Sequence, residues 1–546
     1  MKETEALSAY RGRWIAQIRG QVVAHGGTPE QARAAALENR PKERPEVTFV
    51  ATQHPLVFTP ILERVQSVIP ESAGVYLVGG AVRDALLQSA SKDLDFAVPK
   101  GALKLARKVA DKLNGAFYKL DEEHETGRVV LMEPDGSRYE LDFAVFRGDS
   151  LDADLNGRDF TVNALAVPLH HPQEIHDPLG GMNDLIHKRL KACSPDSLQD
   201  DPVRCLRAVR LATAFGLQIE AATRGMMKKA APGLQETSAE RVRDELFKIL
   251  SLHKVAASIR ALDLLGILPE VLPELSDLKG VTQSSPHIYD AWEHTLKVVQ
   301  ALEDTLSNLD LDYPDEGAGN LLAGLIVLHL GRYRQHITDH LNTPLTTDRP
   351  YRPLLMLAAL FHDTGKPHTR SVEEDGRIRF LGHEQVSVEL AEGRGILLHL
   401  SNHEIDRLKV VIANHMRPNQ LGREATSPSR RAVYRFFRDT GPAGVDNVLL
   451  SIADQIGMHG PTLDQEAFAH HLETMRALLE AWWERPEEVR PPLLVDGNDL
   501  MREFKLQPGP HIGELLDVIR EAQAVGEVKT KGDAYKLIED LLTKSD

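Results

Sequence analysis

Short apolar runs broken by turn residues dominate one stretch of the chain, and helical spacing dominates the rest. Val75-Tyr76-Leu77-Val78 ends at Gly79-Gly80, and Leu94-Asp95-Phe96-Ala97-Val98 follows. Residues 129–132, 139–146 and 164–169 continue the pattern, with Pro134-Asp135-Gly136 as a turn between them. Residues 61–69 read as a helix ahead of these strands, so 51–190 is expected to be a small mixed sheet with helices. Beyond residue 190 the pattern predicts no further strands. Apolar residues recur at helical spacing over 201–216, 239–252 and 255–265, and 280–480 continues helical with scattered histidines. In the first 50 residues, 32–37 fits a helix, Arg40-Pro41-Lys42-Glu43-Arg44-Pro45 reads as a linker, and nothing suggests chemistry. Prolines at 486, 491 and 492 precede a last helical module. The expected fold is α+β and multidomain: an N-terminal extension (1–50), a mixed α/β head (51–190), an all-α neck (191–279), a helical domain (280–480) and a helical tail (481–546).

Length and composition narrow the class. At 546 residues the chain holds several domains. No apolar run approaches the roughly 20 residues of a membrane span; the run at 354–361 stops at His362. The start, Met1-Lys2-Glu3-Thr4-Glu5, is acidic with no apolar stretch behind it, which argues against a secretory leader. Two cysteines, Cys193 and Cys205, are too few for a disulfide framework or a cysteine-based zinc site, so a reducing, cytoplasmic setting is expected. The formal charge of −16 argues against nucleic acid until its distribution is considered. Residues 186–260 carry 14 Lys and Arg against 8 Asp and Glu. Such a basic segment in an acidic protein can follow a phosphate backbone, although a solvated helical face has the same composition.

Two constellations carry chemistry. Asp93 and Asp95 stand at i and i+2 on one predicted strand, so their side chains share a face while Leu94 and Phe96 turn to the core. Close carboxylates repel unless a cation lies between them, and Mg2+ with substrate phosphates suits such a pair. Asp142, on the predicted strand 139–146, is the candidate third carboxylate. Ten residues ahead of the pair, Gly79-Gly80-Ala81-Val82-Arg83-Asp84 opens a helix whose free N–H groups suit phosphate, with Arg83 one turn in.

These residues resemble the head of class II tRNA nucleotidyltransferases, the CCA-adding enzymes and their bacterial poly(A) polymerase relatives. The likeness runs on through Arg158-Asp159-Phe160-Thr161-Val162-Asn163-Ala164-Leu165-Ala166, Asp177-Pro178-Leu179-Gly180-Gly181 and Asp200-Asp201-Pro202-Val203-Arg204-Cys205-Leu206-Arg207-Ala208, to Glu240-Arg241 with Glu245-Leu246. The resemblance implies that Asp93 and Asp95 hold Mg2+ for attack of an RNA 3′-hydroxyl on a nucleoside triphosphate, with Asp142 a further catalytic candidate. It implies nucleotide contacts from Gly79, Gly80, Arg83, Arg158, Asp159 and Asn163. Asp201 and Arg204 would read the Watson–Crick edge of the incoming base without a template, assisted by Arg207. Taken alone, Asp201 before Pro202 is an ordinary helix N-cap. Two positions depart from the family pattern: Asp200 replaces a Glu, and Gly157 replaces a second Arg.

The second set is His294, His362-Asp363, His383, His415 and Asp454. Imidazole and carboxylate ligands from separate helices suit a divalent transition metal or Mg2+ with open positions for phosphate. Their order resembles the HD phosphohydrolase superfamily, which implies a metal site and phosphoester hydrolysis; a vestigial site in an RNA-binding body is the alternative. Residues 493–542 resemble the C-terminal segment of bacterial members that positions the tRNA elbow. The expectation is an enzyme that adds CCA to tRNA from CTP and ATP. CC-only, A-only or poly(A) addition share the same head motifs, and a phosphohydrolase with an RNA-binding head is the rival from another class. Oligomeric state is left open.

Overall fold

The computed structural model describes residues 7–122, 125–311, 320–346, 349–424 and 428–545. The chain divides into two compact units, Met1–Leu234 and Gln235–Asp546, a boundary that falls inside the stretch expected as a neck.

The first unit opens with a three-stranded antiparallel sheet, β1 (Arg13–Ile18), β2 (Gln21–Gly26) and β3 (Glu46–Val50), in the order β2-β1-β3. The expected helix is present as Pro29–Asn39, with Thr28 capping the amide of Gln31 and proline at its start. The strands were not legible in the sequence. They bury little more than Ile15, Ala16 and Ile18 against Ala32 and Ala36, so their apolar alternation is faint. The module is tied to the head by three hydrogen bonds: Trp14 Nε1 donates to Ile175 O (2.9 Å), Gln31 Nε2 to Pro178 O (2.9 Å) and Asp177 N to Gly27 O (2.8 Å).

The head is a six-stranded mixed sheet: β4 (Tyr76–Val78), β5 (Asp93–Val98), β6 (Ala116–Asp121), β7 (Thr126–Met132), β8 (Arg138–Val145) and β9 (Ala166–Pro168). The order is β6-β7-β8-β5-β4-β9, parallel between β5 and β8 and antiparallel elsewhere. One face is covered by the helix Ala102–Leu113, whose Ala102, Ala106 and Ala110 let it lie close over Leu94, Phe96, Val129, Leu131, Leu141 and Phe143. Phe96 and Phe143, register partners, stack with centroids 4.7 Å apart. The other face is left for chemistry.

Strands do occur past residue 190. β11 (Gln218–Ile219) pairs in parallel with β10 (Arg189–Leu190), each two residues long and too short for periodicity to reveal. In the second unit β12 (Arg370–Val372) and β13 (Ile378–Phe380) form an antiparallel hairpin that turns at Asp375-Gly376, with Gly376 at φ +83°. Its strands are largely solvent-exposed, which removes the apolar alternation that would mark them. The rest of the second unit is helical. The helices Ala291–Asn308 and Ala443–His459 touch at Gly457, where a Cβ would come within 2.6 Å of Val298 Cγ2 and 3.0 Å of its backbone nitrogen. No helix among the described residues is long and apolar enough to cross a membrane.

Candidate functional sites

In the head, Asp93 and Asp95 point outward from β5 while Leu94 and Phe96 are buried, as alternation requires. Register sets Asp93 opposite Glu140 and Asp95 opposite Asp142 on β8. Four carboxylates thus form a two-by-two array on the open face of the sheet. The outer pair is neutralised from within: Arg128 on β7 donates Nε and Nη2 to the two oxygens of Asp142 (both 2.8 Å), and its Nη1 lies 2.6 Å from Glu140. Arg138 adds a second cation at Glu140 (2.7 Å). These partners lift the Arg128 pKa further above its usual range, the hydrogen bonds to Asp142 first among the causes. Asp93 and Asp95 have no ion-pair partner among the described residues. The Asp95 carboxyl opens to water but sits deep among protein atoms. That desolvation and the like charges of Asp142 and Asp93 raise its pKa, against Arg158 and Arg207. Two oxygen donors at i and i+2, unpartnered by cations and repelled by their neighbours, fit a hard divalent ion such as Mg2+.

Gly79 lies against this array. Its φ is +78°, and a Cβ would come within 2.9 Å of Arg158 Nη1 and 3.3 Å of Asp95 Oδ2, so both conformation and space demand glycine. Gly80 begins the helix Gly80–Leu86. Arg83, buried within that helix, stacks over Phe215 (4.2 Å), donates Nη1 to Asn163 Oδ1 (2.6 Å) and Nε to Asp84 (2.9 Å). Burial presses its pKa down, with Asp84 opposing. Asn163 passes the chain on, donating to both oxygens of Asp159 (3.1 and 3.2 Å), which also accepts from Arg207 Nε (2.6 Å) and Phe160 N (2.7 Å). Burial would raise the Asp159 pKa, but Arg207 and these donors hold it low. Arg83, Asn163 and Asp159 are therefore a buried polar relay behind the cleft, and Arg207 is its accessible end. Arg158 is itself steered by Asp154, to which its Nε and Nη2 donate (3.1 and 3.0 Å).

Asp201 and Arg204 come together differently from the expectation. The helix begins at Arg204 and its N-cap is Val203, so Asp201 does not cap it and instead lies one turn ahead. Arg204 Nε is 3.6 Å from Asp201 Oδ2. The Arg204 fork is largely occupied by backbone: Nη1 donates to Arg158 O (3.2 Å) and Ser197 O (3.1 Å), and Nη2 to Gly157 O (3.1 Å). Arg147 Nη1 donates to the same Gly157 carbonyl (3.2 Å). Position 157, where an arginine was expected and glycine stands, is thus flanked by guanidinium groups from elsewhere. Arg128, Glu140, Asp154 and Arg147 were not singled out from the sequence; alternation on β7 and β8 could have pointed to the first two.

In the second unit five helices deliver the other set. His294 lies one turn before the Val298–Gly457 contact and Asp454 three residues before Gly457, which brings His294 Nε2 to 3.2 Å from Asp454 Oδ1. His294 Nε2 is also 3.2 Å from Asp363 Oδ2, and His362 Nε2 lies 3.1 Å from the same oxygen. On the other side, His383 Nε2 is 3.2 Å and His415 Nε2 4.0 Å from Asp363 Oδ1. The donor atoms fall into two triads, His294–His362–Asp363 and Asp363–His383–His415, sharing one aspartate. His362, His383 and His415 each turn Nδ1 to a backbone carbonyl, of Ala359 (2.7 Å), Phe380 (2.8 Å) and Ile412 (2.7 Å). Donation there leaves each Nε2 with its lone pair facing the centre, the arrangement a metal ligand needs. All six expected residues converge, and each triad would hold a divalent ion, with Asp363 common to both. Gly365 admits this packing, since a Cβ there would lie 2.1 Å from His383 O.

Charges at the centre are strongly coupled. Burial works against the Asp363 carboxylate, but His362 and Lys366 hold its pKa well below the usual range; Lys366 Nζ is 2.6 Å away. Burial presses the His415 pKa down to about 3, with His362 adding to the effect. His287, missed in the sequence because it lies in an irregular Ser284-Ser285-Pro286 loop, packs edge-on to His294 with centroids 5.1 Å apart. Its pKa is lowered to about 4 by burial, then by Lys366 and His294. A cavity of about 530 Å³ opens over the centre, walled by Lys366, Arg377, Phe380 and Asn419.

The chain resembles known proteins along most of its length. Four family models match in succession: the poly A polymerase head domain (residues 75–191), a probable RNA- and SrmB-binding site of polymerase A (216–279), the HD domain (321–456) and a tRNA nucleotidyltransferase domain 2 (463–536). An A-adding tRNA nucleotidyltransferase of Deinococcus radiodurans is 34% identical over 477 residues, covering 86% of this chain and 96% of the relative. A CC-adding tRNA nucleotidyltransferase of Thermus thermophilus is 33% identical, over 84% of this chain and 91% of the relative. Among solved structures, a CCA-adding enzyme with ATP superposes with a TM-score of 0.55 at 20% identity, over 89% of this chain and 95% of that one, a likeness of fold.

Proposed function

The chain belongs to the family of tRNA nucleotidyltransferases and poly(A) polymerases, and we propose that within it the protein builds the CCA terminus of tRNA from CTP and ATP. Nucleotidyl transfer follows from that membership. The observation that carries the site is the outward Asp93–Asp95 pair, without a cation partner, beside the Gly79 bend. Mg2+ held by Asp93 and Asp95 would lower the pKa of the RNA 3′-hydroxyl and offset the charge of the triphosphate. The remaining work belongs to the protein's own groups. Arg158, aimed by Asp154 past Gly79 toward Asp95, offers a guanidinium to phosphate oxygens. The relay from Arg83 through Asn163 and Asp159 to Arg207 fixes the cleft wall. Asp201 accepts from the exocyclic amino group of cytosine or adenine, and Arg204, braced on the backbone of residues 157, 158 and 197, donates to the ring acceptor.

Complete CCA addition is the first reading. A second is favoured by the relatives that match nearly end to end, which are named as A-adding or CC-adding enzymes, whereas relatives named multifunctional CCA proteins align over 41–44% of this chain. In that reading the protein adds one part of the terminus. The test supplies tRNAs ending at the discriminator base, at C and at CC with CTP and ATP, separately and together, and resolves products to one nucleotide. Two C then one A supports the first reading, C or A alone supports the second, and a long A ladder on arbitrary RNA overturns both.

The paired triads in the second unit support a companion activity, hydrolysis of phosphate esters at a two-ion centre. His362→Ala should abolish release of phosphate from a model ester while nucleotide incorporation persists.

A further inference from the structure

The helix Ala102–Leu113 buries Ala102, Ala106, Val109 and Ala110 on the sheet face opposite Asp93 and Asp95, and turns a row of cations outward. Lys104, Arg107, Lys108 and Lys112 are exposed, and none has a carboxylate at ion-pair distance among the described residues. With Lys119 of β6 they line a groove of about 510 Å³ that holds one acid, Asp111. Lys119 itself pairs with Glu122 (2.8 Å). The floor is aromatic, with the Arg107 guanidinium 4.4 Å over the Phe117 ring.

This row differs from the basic helix Arg430–Thr440 of the second unit. The formal charge of the chain is −16, and the arginines of the helix Arg430–Thr440 are matched by acids: Arg431 and Arg435 by Glu521, and Arg438 by Asp439. Four unmatched cations on one helix face repel one another, an arrangement that an incoming polyanion relieves. Lys104, Lys108 and Lys112 recur every four residues, so they rise along the helix in steps of about 6 Å. That is an evenly charged rail for successive phosphates of a nucleic-acid strand. A guanidinium stacked on a phenyl ring is a platform that an unpaired base can extend.

We propose that this groove is a second RNA-binding surface, gripping the phosphate backbone of the RNA substrate away from its reacting 3′ end. The inference rests on the reading of the protein as an enzyme that extends RNA. It adds a contact on the face of the head turned away from the carboxylates, where RNA bound only by its terminus would make none.

The test uses the full chain and measures tRNA binding by fluorescence anisotropy across a KCl series. The triple variant Lys104→Gln/Lys108→Gln/Lys112→Gln removes surface charge without touching the core. Its tRNA affinity should fall ~10-fold or more, and the slope of log K against log[KCl] should shrink by about two, since each released phosphate contact is worth roughly 0.7 to 0.9. The kcat at saturating RNA and the KM for CTP or ATP should not change. Arg107→Lys keeps the charge and loses the flat stack, so affinity for single-stranded RNA should fall with the slope preserved. Wild-type affinity and slope in the triple variant would overturn the proposal. So would loss of binding only to phosphatidylserine vesicles or to an acidic polypeptide such as polyglutamate. Absence of nucleotide incorporation by the wild-type protein would instead sink the functional reading, while the binding measurement would still report on the groove.

Discussion

Asp95 and Asp142 face each other across the parallel strands β5 and β8, yet Arg128 clamps both oxygens of Asp142 at 2.8 Å while Asp95 has no ion-pair partner among the described residues. The difference divides the carboxylate array into a pair without ion-pair partners among the described residues, Asp93 and Asp95, and a charge-balanced flank.

The first prediction follows. If Asp93 and Asp95 hold the ions, Asp93→Asn and Asp95→Asn should each lower kcat for nucleotide incorporation by ~10³-fold or more, since each variant loses a charged oxygen donor. Asp142→Asn should cost far less, about 10-fold, since its charge is already offset by Arg128. Arg128→Gln should restore part of the Asp142 charge to the cleft and lower the Mg2+ concentration giving half-maximal rate. A loss in Asp142→Asn equal to that in Asp95→Asn would show that Asp142 is a ligand in its own right.

Arg204 supports a second prediction. Its fork is fixed by carbonyls of residues 157, 158 and 197, so lysine, a single point donor, cannot reproduce it. Arg204→Lys and Arg204→Ala should both raise the KM for CTP and ATP by ~10-fold or more and allow UTP or GTP to be incorporated. Asp201→Ala should relax base choice with a smaller effect on KM. Competition between the four nucleotides on one tRNA primer measures this directly.

How much of this was legible beforehand depends on the range of the interaction. Asp93 and Asp95 could be placed on one face because alternation along a strand is local. The relay behind them could not: Arg83 meets Asn163 across 80 positions, and Arg207 meets Asp159 across 48. Their motif positions suggested nucleotide contact, but that Arg83, Asp159 and Asn163 are buried together emerges only when distant segments pack. The first sheet escaped notice because its partner helix buries alanines, which leave little hydrophobic signal. Helical spacing located the helices that carry His294, His383 and Asp454. Their convergence, however, depends on Gly457 and Gly365, small residues whose role appears only when another backbone lies against them.

That dependence makes the two glycines a test of the histidine centre. Gly457→Ala forces the helices Ala291–Asn308 and Ala443–His459 apart, because its methyl would meet Val298 at 2.6 Å, backbone included. His294 and Asp454 sit within four residues of that contact. The variant should bind Mn2+ or Co2+ at least ~10-fold more weakly by calorimetry and lose ester hydrolysis, with nucleotide incorporation retained. Asp363→Asn should remove the shared ligand of both triads and abolish binding of both ions. Retention of two ions in Asp363→Asn would refute the bridged arrangement.

Glu303 gives the last prediction, one of pH. Its buried carboxylate accepts from Val255 N and, at 3.2 Å, from Ala256 N, capping the helix Val255–Leu264 from a neighbouring one. Burial raises its pKa from 4.5 to about 7 despite those donors, with Asp304 adding to the rise. A carboxyl whose pKa rises on folding holds its proton more tightly in the native state. Its contribution to stability is therefore complete below about pH 4.5 and is lost as pH climbs through 7. Glu303→Gln keeps an oxygen acceptor for the helix amides but does not ionise. The difference in Tm between wild type and Glu303→Gln should therefore favour the variant increasingly from pH 5 to about pH 7 and level off above it. Parallel Tm curves across that range would mean that Glu303 is ionised throughout and that the helix dipole, rather than burial, governs it.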